Sequence, residues 1–430
     1  MAALFMFIAL ILLILAGMPI AFAIGLSSAA AILVFDTVGV MFQPRSAITA
    51  LQSYPILAIP LFVLAGDLML TGGLSKRLID FAESIVGKFK ANLAYVTVLA
   101  CTFFAAISGS GPATVAAIGS NVIPEMSKRG YPKSYSTSLT ACSGMIGVMI
   151  PPSIPFIMYG ISADASVARL FIAGIGPGLL FGLGFAITAR IIYGKLKLNC
   201  STTPFSGKEL LASMRRAFFA LLAPVIVLGG IYGGIFSPTE AAAIAVAYAL
   251  FVGLFVYKDL NLRNIWEILG RSAATSCVVL CLIAFATTFG RVLTLERVPV
   301  QLTAMLTSFS DNPIVLLLAI NVFLLIVGMF METIASIIIL TPIFLPIIKS
   351  YGIDPIFFGV IVVVNLAVGF CTPPLGVNLF VASTVGKVSI EQVIKGVLPY
   401  LVTMLIMLAL ITYVPAISMT LPNLLYGKSS

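Results

Sequence analysis

AAISGSGPATVAAIGS, residues 105–120, places the turn sequence Ser108-Gly109-Ser110-Gly111-Pro112 inside a long apolar run. Small polar residues, glycines and a proline end a helix there. Lys76, Arg77, Lys88 and Lys90 precede the run, and Lys128, Arg129 and Lys133 follow it. Basic loops sit on the cytoplasmic side of a membrane, so residues 91–127 begin and end on one face. The segment is long enough for two helices jointed at Ser108–Pro112. It reads as a re-entrant hairpin whose tip lies near the middle of the bilayer. Non-helical backbone survives at that depth only when buried in protein or lining a wet cavity. The tip therefore reads as a site.

Composition establishes the bilayer. Of 430 residues, 60% are hydrophobic and 9% charged, against roughly 25% charged in soluble domains. Mean hydropathy is +1.16. Apolar runs near the ~20 residues of a helical span recur throughout, and the ten-residue alternation of a barrel is absent. The expected fold class is an all-α polytopic membrane protein. Met1–Phe35 lacks a charged n-region and reads as membrane segment. Two short spans, 2–17 and 19–35, suit it better than one helix of about 51 Å. Cys101, Cys142, Cys200, Cys277, Cys281 and Cys371 have no metal spacing and read as small packing residues. Histidine is absent, which removes His metal sites, His proton relays and Ser-His or Cys-His catalysis. The net charge of +9 sits in short loops and speaks to topology; nothing points to nucleic acid.

The chain repeats itself. A shift of 222 residues lays Pro124 on Pro346, Gly130 on Gly352, Gly147 on Gly369, and Pro151-Pro152 on Pro373-Pro374. Gly174 then falls on Gly396 and Pro177 on Pro399. Chance predicts roughly one such match in the window 108–179. The expected organisation is a first repeat, 1–190, holding the hairpin 91–127. A basic cytoplasmic loop, 191–211, leads to a second repeat, 212–430, holding a hairpin at 312–348. Spans at 217–236 and 239–257 return the chain to Lys258, Arg263 and Arg271, so one further span sends the second hairpin in from the opposite face. Inverted repeats with broken helices meeting at the midplane are a secondary-transporter architecture. The amphipathic stretches 43–54, 73–90 and 296–309 are expected at the interface, against membrane lipid.

Three groups of residues carry the chemistry. At the first tip, Ser108, Gly109, Ser110, Gly111 and Thr114 offer hydroxyls and freed carbonyls, hard oxygen ligands for Na⁺. The helix opening after Pro112 presents its positive end to a carboxylate. In GVMIPPSIPF (147–156) and its mate GFCTPPLGVN (369–378), paired prolines remove two backbone donors each. Carbonyls around Gly147, Ile150, Pro151, Gly369 and Thr372 are then free to coordinate, with Ser153 and Asn378 beside them. Glu332, in FMETI opposite Ser110, is an acid at membrane depth and a functional candidate by default. It is suited to ligating Na⁺, to carrying a proton, or to holding the tip through backbone N–H groups; Thr333 and Ser336 follow it. Asp67, in LAGDLM, is a second acid of the apolar runs and falls near a span end; Asn365, ahead of the second break, reads as a polar neighbour, and Glu240 after Ser237-Pro238 as a helix cap.

SGSGPATVAAIGSNVIPEMSKRGY (108–131), GVMIPPSIPFIMYG (147–160), LFIAGIGPGLL (170–180), TPPLGVNLFVAS (372–383) and IPLFVLAGDLM (59–69) jointly resemble the large membrane subunit, M or DctM-like, of tripartite ATP-independent periplasmic (TRAP) transporters. The resemblance covers nearly the whole chain. It implies an ion-transporter-like inverted repeat in the bacterial inner membrane, with a scaffold and an elevator domain carrying both hairpins. It implies Na⁺-driven uptake of an organic acid, delivered by a periplasmic substrate-binding protein. A small four-helix membrane subunit is implied as a separate partner. Sialic acid and C4-dicarboxylates are the leading substrates, with a lean to sialic acid. Glu332 departs from the aspartate more usual in that family. The expected substrate contacts are Ser108, Gly109, Ser110, Gly111, Thr114, Ser153, Glu332, Thr333, Ser336 and Asn378. The expected ion contacts are Ser108, Ser110, Gly147, Ile150, Pro151, Glu332, Thr333, Gly369 and Thr372. The alternative is a proton-coupled carrier using Glu332; a channel or an intramembrane enzyme fits less well.

Overall fold

A computed structural model describes residues 1–427 apart from 199, 201, 203, 205, 310 and 311. The expected loop 191–211 thus lies partly outside the described residues. Among those residues the chain is all α, without a strand.

It opens with α1 (Ala2–Leu15) and α2 (Ile20–Phe35), turned at Gly17 ahead of Pro19. Phe5 meets Phe35 edge-on at 5.5 Å, so the pair runs antiparallel and residues 2–35 form two helices. The amphipathic α3 (Phe42–Leu51) leads through a tight turn, Tyr54–Leu57, into α4 (Ala58–Thr71) and the amphipathic α5 (Leu74–Val86). The first hairpin is α6 (Asn92–Ser108) and α7 (Gly111–Lys128). A broken helix follows: α8 (Lys133–Gly144), a tight turn at Met145–Val148, and α9 (Ile154–Ala163). The long α10 (Val167–Lys195) closes this half.

The order then recurs. α11 (Gly207–Tyr232) and α12 (Pro238–Phe251) form the second helical pair, α12 opened by the capping box of Ser237 and Glu240. α13 (Leu262–Leu295) and the short α14 (Val298–Phe309) precede the second hairpin, α15 (Pro313–Phe330) and α16 (Thr333–Ser350). The second broken helix is α17 (Pro355–Gly369) and α18 (Val377–Gly386), followed by α19 (Ile390–Tyr413) and α20 (Ala416–Tyr426). Among the described residues, eight helical segments are long and apolar enough to cross a membrane.

Helix faces follow their solvent. On α10, Leu179, Leu183, Ile187 and Ile191 recur every four residues and are exposed, whereas Phe181, Phe185 and Ala189 are buried. Acyl chains are as apolar as leucine, so the exposed stripe is a lipid face.

The helices pack as two bodies, α1–α5 with α11–α13 and α6–α10 with α15–α20. They meet mainly where α13 lies on α16 and α5 on α6. Within each body the halves interlock: α4 packs on α12 and α13 on α2, while α7 packs on α18 and α16 on α9. Charge ties α5 to both bodies. Arg77 pairs with Asp259 at 2.8 Å after α12, and Glu83 pairs with Arg129 at 2.8 Å at the foot of α7.

Small residues set the close approaches. A Cβ on Gly174 of α10 would fall on the Met149 carbonyl oxygen and the Phe156 ring, inside the first break. Gly270 of α13 has open space around it. Overpacking a close contact costs about 1–3 kcal/mol. Gly174→Val is therefore expected to lower the unfolding midpoint of detergent-purified protein by several degrees, with Gly270→Val close to wild type in the same melt.

Candidate functional site

The first tip forms because Gly109 takes a left-handed turn (φ 61°) and Ser110 is extended, beginning α7 with its own side chain as cap. Thr114 Oγ1 donates to the Ser110 carbonyl at 2.8 Å and stands 2.8 Å from Ser108 Oγ. Ser108 and Thr114 are buried. Three oxygens, Ser108 Oγ, the Ser110 carbonyl and Thr114 Oγ1, thus converge within two turns of chain.

The first break presses on this cluster. A Cβ on Gly147 would stand 2.5 Å from Thr114 Oγ1 and 2.6 Å from the Ser110 carbonyl, so only glycine admits that approach. The Ile154 N–H donates to the Gly109 carbonyl at 3.4 Å, linking break and tip directly. Both proline pairs, Pro151-Pro152 and Pro373-Pro374, are joined by cis peptides.

The second break reaches the same tip from the other half. Asn378 donates Nδ2 to the Ala141 carbonyl at 3.1 Å, and Cys371 Sγ lies 3.3 Å from that carbonyl. Asn378 Oδ1 is buried without a partner, and a Cβ on Gly111 would lie 3.3 Å from it. The first tip is therefore held between both breaks.

Glu332 begins α16 as its cap. Its Oε2 accepts from the Ile334 N–H at 2.8 Å and the Ala335 N–H at 3.1 Å, while Ser336 Oγ donates back to the Glu332 carbonyl at 3.0 Å. Of the roles open to this acid, holding the tip is the one its hydrogen bonds display.

A cavity of ≈ 340 Å³ joins the two tips. Ser108, Gly109, Ser110 and Gly111 line it from one side, Glu332 and Thr333 from the other. Asp67 and Thr275 complete its polar wall from the facing body. Asp67 accepts from Ser272 Oγ at 2.6 Å and lies 3.4 Å from Arg271. Thr275 carried no signal in the sequence, because only its neighbours in space distinguish it.

Other expected residues lie behind this lining. Thr114 and Gly147 form the second layer of the first tip. Ser153 is buried, its Oγ donating to the Val148 carbonyl at 2.6 Å and capping α9. Thr372 Oγ1 donates to the Val368 carbonyl at 2.8 Å. Gly369 touches the Gly328 carbonyl, one turn before the second tip, rather than Glu332 or Thr333. Ile150 and Pro151 are buried in the first break, as is Ser336 at the second tip.

Sequence reasoning passed over Ser143. Its buried hydroxyl has no partner, as does Asn365 Oδ1, 222 residues later on the other broken helix. Asn365 Nδ2 meanwhile donates to Asn321 Oδ1 at 2.7 Å, fixing α17 to α15. An unpaired buried acceptor costs about 1–3 kcal/mol, and a bound ion or water is the ordinary remedy.

The capping geometry makes a checkable statement. Glu332→Ala leaves the Ile334 and Ala335 N–H groups without an acceptor and is expected to cost about 1 kcal/mol of stability. Glu332→Gln keeps an acceptor oxygen and should cost less, which paired thermal melts resolve.

Residues 7–417 match the family described as the tripartite ATP-independent periplasmic transporter, DctM component. The chain is 48% identical over 403 residues to the isethionate TRAP transporter permease protein DctMQ of Oleidesulfovibrio alaskensis; that match covers 94% of this chain and 64% of the relative, less than two thirds of its length. The C4-dicarboxylate TRAP transporter large permease protein DctM of Pseudomonas aeruginosa is 44% identical over 93% of both chains. The sialic acid TRAP transporter large permease protein SiaM of Vibrio cholerae is 38% identical over 96% of this chain and 97% of its own. The YdaH transporter of Alcanivorax borkumensis shares the fold, with a TM-score of 0.60 at 17% identity over 86% of each chain. Eight apolar helices and this kinship make it a multi-pass inner-membrane protein. With its duplicated hairpins and paired proline breaks meeting at one cavity, the chain belongs to the DctM component family of tripartite ATP-independent periplasmic transporters.

Proposed function

We propose that this chain is the membrane-translocating subunit of a Na⁺-coupled importer for a small organic anion. The observation that carries the reading is the oxygen cluster of Ser108, Ser110 and Thr114 under Gly147, opening on a cavity shared with Glu332. Hydroxyl and carbonyl oxygens without a net charge suit a monovalent hard cation. A cation there turns the tip positive and favours a carboxylate or sulfonate in the cavity, where the N-terminus of α7 adds its own partial charge.

The two bodies divide the work. The body holding both hairpins and both breaks carries ion and anion together, sliding as an elevator against the body of α1–α5 and α11–α13. Moving it half-loaded takes an uncompensated charge through the bilayer, which couples the two cargoes. Relatives named for isethionate and C4-dicarboxylate transport are 48% and 44% identical, the sialic acid relative 38%. A short sulfonate or dicarboxylate is accordingly the preferred substrate over sialic acid. A periplasmic binding protein delivering the anion and a small membrane subunit beside this one are the partners of the family pattern.

The proton-coupled alternative gives Glu332 a different task. Its carboxylate already accepts two backbone N–H groups, which favours an anchor over a carrier.

Reconstituted with its cognate partners, the protein is expected to lose uptake of isethionate and succinate when choline replaces Na⁺. Uptake that persists unchanged sinks the coupling. Ser108→Ala and Thr114→Val should each raise the half-saturating Na⁺ concentration roughly tenfold, the scale of one oxygen contact to a charge. Glu332→Gln should retain Na⁺-dependent uptake; abolition of transport together with its pH dependence would instead favour the proton carrier.

A further inference from the structure

A second cavity, of ≈ 320 Å³, shares three helices with the first, α9, α13 and α16. On α9 the first cavity touches Ile154 and Pro155, the second Met158, Ile161 and Ser162. On α13 the pairs are Thr275 and Val279, then Ile283 to Thr294; on α16 they are Thr333 and Ile334, then Ile338 and Pro342. In the intervening turns of α9 and α16, Phe156, Ile157, Ala335, Ser336 and Ile337 are buried. The two cavities thus occupy successive turns of the same helices, one beyond the other along α13.

Direction follows from the loops. α13 begins beside Lys258, Arg263 and Arg271 on the basic, cytoplasmic side, so its residues 287–294 lie toward the outer face. The second cavity is thus the outer one. Its wall carries hydroxyls, Thr49, Ser53, Ser162, Thr287 and Thr294, and a single cation, Arg291. Arg291 is exposed and donates to Ser46 Oγ at 3.2 Å. Among the described residues no carboxylate lies within ion-pair reach of it. An arginine without an acidic partner, in a cavity of hydroxyl donors, is a ready site for a planar or tetrahedral anion.

We infer that this outer cavity is an anion-binding vestibule in which Arg291 captures a carboxylate or sulfonate before it reaches the cavity between the tips. The idea takes from the proposed function only the anionic class of the cargo. Positive potential in a confined, low-dielectric mouth raises the local anion concentration and the rate of entry. Arg291 belongs to the body opposite the hairpins, so it serves entry without travelling with the load.

The test reads local charge first and transport second, with the complete transporter in right-side-out vesicles. In Ser162→Cys protein, the anionic sulfonatoethyl methanethiosulfonate is expected to label faster than its cationic trimethylammonium analogue, with the unsubstituted chain as blank. Arg291→Gln should reduce that rate ratio about tenfold, as expected for one charge in a confined site. Arg291→Lys should keep it, and Ser46→Ala, which removes the hydrogen bond and leaves the charge, should keep it too. A ratio near one, or a ratio indifferent to Arg291→Gln, overturns the proposal. In uptake of isethionate or succinate, Arg291→Gln should raise the half-saturating concentration about tenfold while leaving half-saturation by Na⁺ unchanged. A loss confined to maximal rate overturns it. Na⁺-independent uptake would sink the coupling reading and leave the labelling result standing.

Discussion

Backbone that leaves the helix in the middle of a bilayer must find its partners inside the protein. The rest of this structure depends on that constraint. Two hairpin tips and two proline breaks each expose carbonyls and N–H groups where no water reaches freely. The molecule answers by bringing them against one another. Ile154 donates to the Gly109 carbonyl, Asn378 to the Ala141 carbonyl, and Ser153 to the Val148 carbonyl. Glu332 accepts the first N–H groups of its own helix. Ser108, Ser110 and Thr114 satisfy one another within the first tip, while the Ser143 hydroxyl, Asn365 Oδ1 and Asn378 Oδ1 stay buried without a partner.

The same constraint explains the interlocked halves. A half-helix of ten residues, such as α9 or α18, is about 15 Å long and cannot cross a bilayer alone. Each is stabilised by lying against the hairpin of the other half, α9 on α16 and α18 on α7. The repeated units therefore share one interior. At the α7–α18 crossing Gly119 lies against Val385, a close approach that only a small residue allows where lipid supplies no hydrophobic drive for helix association.

Charge is sparse, and its placement carries meaning. Ion pairs gather at the cytoplasmic foot, where α5 joins Arg77 to Asp259 and Glu83 to Arg129. The central cavity holds Glu332 on the hairpin side and Asp67 on the facing side, the latter near Arg271. The outer cavity holds Arg291. On the proposed inward path an anion would meet this arginine first and the N-terminal end of α7 second.

The sequence by itself determined the membrane, the hairpins, the proline breaks and the cavity residues at the tips. Those features rest on local physics: glycine and proline alter the backbone wherever they stand, and an acid such as Glu332 is conspicuous in any apolar run. The tertiary structure alone decided how they combine. It set Asn378 against Gly111, Gly369 on Gly328 rather than on Glu332, and Thr275 and Asp67 across from the tips. It withdrew the Ser153 and Thr372 hydroxyls into their own breaks and left the Ser143 hydroxyl unpaired. A hydroxyl's partner is settled by packing between helices far apart in the chain, and residue type and spacing carry no record of that.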